Sequence, residues 1–65
     1  MKRMNRKKIL EVLETARQGY SSIIIIAREI DDKVLELSCK AHHGMLNKQI
    51  VELGGESVEP PLMNI

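Results

Sequence analysis

"SSIIIIAREIDD", Ser21 to Asp32, decides how this chain is read, because four consecutive isoleucines run directly into a cluster of charges. β-Branched residues favour strands and lose side-chain freedom in helices. A strand needs a partner, however, and the other apolar segment, "KQIVEL" at 48–53, has neighbours with helical spacing. From Ile23 the apolar positions Ile26, Ala27, Ile30, Val34, Leu37 and Ala41 follow at three- and four-residue steps, the period of a helical packing seam. Glu29 with Lys33 and Glu36 with Lys40 stand four apart in the favourable order, which supports the same helix. In that helix Ile24 and Ile25 point away from the seam, so its first turn is apolar nearly all round. One neighbouring helix covers one side only, which leaves Ile24 and Ile25 for a partner.

Upstream, Ile9, Val12, Leu13, Ala16 and Tyr20 repeat with helical spacing, Asn5 can cap the start, and Gly19 can end the helix. Ser21 and Ser22 then serve as caps for a second helix. Downstream, "HHG" at 42–44 reads as a helix end, with Met45 to Leu53 a third helix or a continuation. The expected architecture is all-α: an antiparallel helical hairpin with a short third helical segment, its helices at about 6–18, 22–43 and 45–53. Residues 1–55 form one domain, and the tail 56–65, "ESVEPPLMNI", has two prolines, lacks periodicity and is expected to be flexible.

At 65 residues the core has little surplus over an ordering cost of roughly 1.5 kcal/mol per residue. The single cysteine, Cys39, cannot form an internal disulfide, so oligomerisation is the expected source of extra stability, as a homodimeric bundle. An unpaired thiol fits a reducing compartment, and the longest apolar run, Ile23 to Ala27, is far short of the roughly 20 residues of a membrane span. A cytoplasmic protein with no membrane partner is expected. The net charge is +1, but bases gather at the start (Lys2, Arg3, Arg6, Lys7, Lys8) and acids at the end (Glu52, Glu56, Glu59). A basic end of this kind is usually a solvated tail and can also meet nucleic acid or an acidic protein surface.

Cys39 and His43, four apart, share a helix face, with His42 beside them. Two or three local ligands do not close a zinc site and nothing orients a Cys–His nucleophile pair, so no metal and no resident cofactor are expected. A helix-turn-helix alternative takes "SIIIIAREI" and "KVLELSCK" as its two helices and the basic N-terminus as its phosphate contact. It places Asp31 and Asp32 at the turn, where two carboxylates would face a polyanion. A non-catalytic helical adaptor is a further alternative.

"AREIDDKVLEL", residues 27–37, resembles the signature helix of the small sporulation-regulatory aspartyl-phosphate phosphatases, the stage-zero-E-like family, whose pattern is Ser-Gln-Glu-Leu-Asp. Ala27 stands for the Ser, Arg28 for the Gln and Ile30 for the Leu, while Glu29 and Asp31 match and Val34, Glu36 and Leu37 continue the fit. The resemblance covers about half of the chain. It implies a short helical hairpin that docks on a phosphorylated response-regulator receiver domain and promotes loss of its aspartyl phosphate, with Asp31 as catalytic carboxylate and Arg28, Glu29 and Asp32 flanking it. The divalent metal and lysine of such a reaction belong to the receiver. This chain would add a carboxylate that orients the attacking water, held rigidly on a helix one step from the Ile30 seam.

Overall fold

The computed structural model describes residues 5–61, and these form two helices joined by a tight turn: α1, Arg6–Glu29, and α2, Lys33–Glu52. Asn5 starts α1 as its side-chain oxygen accepts from the Lys8 backbone N–H at 2.8 Å, satisfying one of the donors a helix start leaves without partners. Asp32 does the same for α2 by accepting from the Leu35 N–H at 3.1 Å.

The helices are antiparallel neighbours along their length. Arg28 pairs with Glu36 next to the turn, Tyr20 stacks on His42 at a 5.1 Å ring separation, and Arg17 reaches Asn47 near the open end. This is an all-α hairpin, as expected. The turn lies at 30–32, not at 19–22 as the Gly19–Ser22 reading had it. Gly19 is a helix-interior residue, and the Ser22 hydroxyl donates back to the Gln18 carbonyl instead of capping a new helix. No separate third segment follows Gly44, because α2 continues through it to Glu52. Met45 to Leu53 is therefore the continuation.

The buried face differs from the apolar seam read from sequence. On α1 the inward stripe is Leu10, Leu13, Arg17, Tyr20, Ile24 and Ala27, and on α2 it is Leu35, Cys39, His43, Leu46, Ile50 and Leu53. Ile24, Ala27 and Ile50 are 0% exposed, whereas Ile23, Ile26 and Ile30 are 37%, 53% and 61% exposed. Ile24, expected on a partner surface, is thus in the centre of the hairpin, while Ile25 is exposed. Two stripes of helical period coexist on α1, and Tyr20 and Arg17 decide between them: each has a specific partner on α2, which draws their stripe inward.

The chain after α2 is not free over the described residues. Leu53, Gly54 and Gly55 close the helix with a left-handed turn, in which Gly54 has φ 95° and the Gly54 and Gly55 N–H groups donate to Val51 and Ile50 carbonyls at 3.0 and 2.8 Å. The segment then runs back along the hairpin. Asn47 holds both backbone polar groups of Val58, its Nδ2 donating to the Val58 carbonyl at 2.8 Å and its Oδ1 accepting from the Val58 N–H at 3.1 Å. Arg17 donates to the Glu56 carbonyl and Arg28 to the Pro61 carbonyl. Residues 56–61 of the expected tail thus bond to both helices, and residues 62–65 lie outside the described residues, as do Lys2 and Arg3 of the basic N-terminus.

Candidate partner-docking site at the hairpin turn

The charged half of the opening stretch builds the turn. Ile30 ends α1, Asp31 takes the left-handed conformation at φ 59°, and Asp32 begins the cap of α2. The Asp31 N–H donates to the Arg28 carbonyl at 3.2 Å and the Asp32 N–H to the Ala27 carbonyl at 2.8 Å. This is the same paired closure seen after α2, a Schellman motif, whose left-handed position is usually glycine. At the end of α2 glycine does occupy it; at the apex an aspartate does. A side chain there carries a strain of order 1 kcal/mol, lower for aspartate than for bulkier residues.

Each candidate residue now has a place. Asp31 is exposed at the apex and makes no side-chain hydrogen bond or ion pair among the described residues. It stands in a turn, which corrects its expected position within a helix. Asp32 is engaged as the α2 cap. Glu29 is exposed on the last turn of α1 and Lys33 opens α2, so the turn separates them and they are not the i,i+4 helical pair expected. Arg28 faces inward between Glu36 Oε2, 2.8 Å from its Nε, and the Pro61 carbonyl, 2.6 Å from its Nη1. The Arg28 hydrogen bond, with the charges of Arg28 and Lys40, holds the Glu36 carboxyl below the usual range against the opposing effect of desolvation. Lys40 Nζ lies 3.5 Å from Glu36 Oε2, the i,i+4 pair read from sequence. Arg28 thus fastens α1, α2 and the returning tail together and is not free to flank a partner.

Exposed aliphatic side chains stand among the charges of this region: Ile30, Val34 and Leu37 are 61%, 79% and 63% exposed, beside exposed Glu29, Asp32 and Lys33. An exposed carboxylate fixed by the backbone and bordered by exposed aliphatic side chains suits contact with a folded protein surface. The site has no sequence signal beyond "IDDKVLEL" itself. The tail clamp of Arg17 and Asn47 was not foreseen, since nothing in its local spacing marks these residues as long-range partners.

Cys39 and His43 are both buried in the hairpin core and not at a helix end, and His42 stacks on Tyr20. Among the described residues there is no group of three or more His, Cys, Asp or Glu side chains able to hold a metal, and no helix is long and apolar enough to cross a membrane. His43 is 1% exposed, and its Nε2 has no hydrogen-bond partner. Burial, reinforced by the nearby Arg17 charge and partly offset by Glu59, lowers its pKa below the ordinary value of 6.5. The unfolded chain therefore binds a proton that the folded chain refuses. Stability from this residue is fully present above the ordinary imidazole pKa and falls as pH drops from there through the folded value. Thermal denaturation should show a melting temperature that declines on acidification below about pH 6.5, and His43→Leu should flatten that decline. An unchanged slope in the leucine variant would show that His43 is not its source.

The helices of the hairpin lie side by side over their whole length, whereas a helix-turn-helix unit crosses its helices at a large angle. Comparison of the chain with family models, with curated proteins and with solved structures finds no match.

Proposed function

We propose that this protein is a small docking regulator that applies the turn end of its hairpin to a phosphorylated response-regulator receiver domain and promotes hydrolysis of the receiver's aspartyl phosphate. The observation that carries the reading is Asp31: an exposed carboxylate, unpaired among the described residues, kept at a left-handed position where glycine would relieve the strain. Strain retained at an exposed turn is a pointer to use. Val34 and Leu37 supply the apolar border through which the turn is held against the receiver.

In the reaction a water oxygen attacks the phosphorus of the acyl phosphate in line with the P–O bond to the receiver's aspartate. Asp31 orients that water and accepts its proton. The P–O bond breaks, inorganic phosphate leaves and the receiver's carboxylate is regenerated. The receiver supplies its own divalent cation and lysine to balance the phosphoryl charge, so this chain needs to contribute only one placed base.

Asp31→Gly separates use from structure. The substitution removes the carboxylate and relieves the left-handed strain, so the protein should melt higher while losing acceleration of receiver dephosphorylation, followed by release of radiolabelled phosphate. Retained acceleration in the glycine variant rejects Asp31 as the base. Val34→Glu should abolish binding to the receiver while leaving helicity intact, and tight binding by that variant rejects the turn end as the docking surface.

A further inference from the structure

We infer that a second copy of this chain packs against α1, antiparallel and in a defined register, through the exposed stripe Val12, Ala16, Gly19, Ile23, Ile26 and Ile30. This inference does not depend on the receiver reading. The stripe advances by alternating steps of four and three residues, the period that keeps a seam facing a neighbouring helix. All of its positions are exposed and none is charged, on a helix that otherwise carries many charges. The hairpin is a single layer, with principal extents of 43 × 23 × 14 Å. α2 and the returning segment 56–61 take other sides of α1, and this stripe is left exposed without a second layer.

Residue size selects the partner and its direction. The N-terminal half of the stripe has the smaller residues, Val12, Ala16 and Gly19, and the C-terminal half has Ile23, Ile26 and Ile30. In an antiparallel pair, Gly19 meets the partner's Ile23, Ala16 meets the partner's Ile26 and Val12 meets the partner's Ile30, so each contact combines a smaller residue with an isoleucine. A parallel pair would set glycine on glycine and isoleucine on isoleucine, leaving a gap at one end and crowding at the other.

Charge selects the same direction. Antiparallel packing brings Lys8, one turn before Val12, toward the partner's Glu29, whereas parallel packing stacks the two basic starts on one another. Gly19 also gains an explanation. A glycine inside a helix is destabilising by about 1 kcal/mol relative to alanine, and an added Cβ there would meet nothing within 4 Å of its own chain. The close approach of another helix gives the residue a purpose. Pairing through α1 leaves Val34 and Leu37 on α2 outside this seam.

Sedimentation equilibrium of the full chain should give a dimer at micromolar concentration. Ile26→Glu and Gly19→Leu should each weaken self-association by about a hundredfold or more, a desolvated charge and a steric block respectively, with helicity retained because both positions face away from α2. Orientation is read by disulfide trapping in a Cys39→Ala background. Val12→Cys and Ile30→Cys should each fail to link to themselves, being about 27 Å from their own copies at 1.5 Å per residue, and should link when mixed. A monomer at these concentrations, dimers that survive both substitutions, or self-linking by either single cysteine overturns the inference.

Discussion

Ile24→Ala should destabilise the protein by about 3–4 kcal/mol, within the range measured for buried isoleucine-to-alanine changes, and bring it close to unfolding at ambient temperature. Ile24 is 0% exposed, and with Ala27 and Ile50 it is among the few apolar side chains fully removed from water. A chain of 65 residues has a stability of only a few kcal/mol from a single core. The truncation removes the transfer free energy of three carbons and leaves a space that a two-helix layer fills poorly, since Cys39 and His43 opposite are short or rigid. Ile25→Ala, one residue on, removes the same atoms from a position that is 49% exposed and should change stability by under about 1 kcal/mol. Paired urea titrations of the two variants test the assignment. Equal destabilisation would mean that the inward stripe has been misassigned, and a larger loss at Ile25 would invert it.

That contrast also marks how far the fold was legible from residues alone. The all-α hairpin follows from the helical period of the apolar positions, and the start of α1 follows from Asn5, because both are local and need no knowledge of the partner helix. The Glu36 to Lys40 pair was legible for the same reason. The inward face was not. Periodicity identifies stripes, and α1 has two: one wholly uncharged through Ile23, Ile26 and Ile30, the other containing Arg17 and Tyr20. Hydropathy favours the first, yet the hairpin buries the second, because Tyr20 stacks on His42 and Arg17 bonds Asn47 and the Glu56 carbonyl. Such contacts join residues far apart in sequence, so no local pattern announces them. The turn was missed for a related reason: Gly19 is the residue expected at a left-handed helix end, and Asp31 is not. The candidate site was legible as composition, with Asp31 singled out, and illegible as geometry, since Asp32 caps α2 and Arg28 turns inward to Glu36 and Pro61.

Gly55→Ala should cost about 2 kcal/mol, in the range typical of overpacked sites, although it adds a single carbon at the last residue before the tail expected from sequence to be flexible. Gly55 directly follows the left-handed Gly54 and sends the chain back along the helices. A Cβ built there would stand 2.5 Å from Ile50 Cγ2, 3.0 Å from Leu10 Cδ2 and 3.3 Å from the Ile50 carbonyl oxygen. Ile50 is 0% exposed and has little freedom to yield, and the Gly55 N–H is bonded to that same carbonyl at 2.8 Å. Relief therefore requires the returning segment to lift, which would draw Glu56, Val58 and Pro61 away from Arg17, Asn47 and Arg28. The expected result is a lower melting temperature together with faster amide exchange at Val58, whose N–H donates to Asn47. Gly44→Ala, where an added Cβ meets nothing within 4 Å, is the control. It should raise stability by about 1 kcal/mol, the helix-interior difference between alanine and glycine. Should Gly55→Ala leave both the melting temperature and the Val58 exchange rate unchanged, the tail is not clamped as described, and the hairpin stands without it.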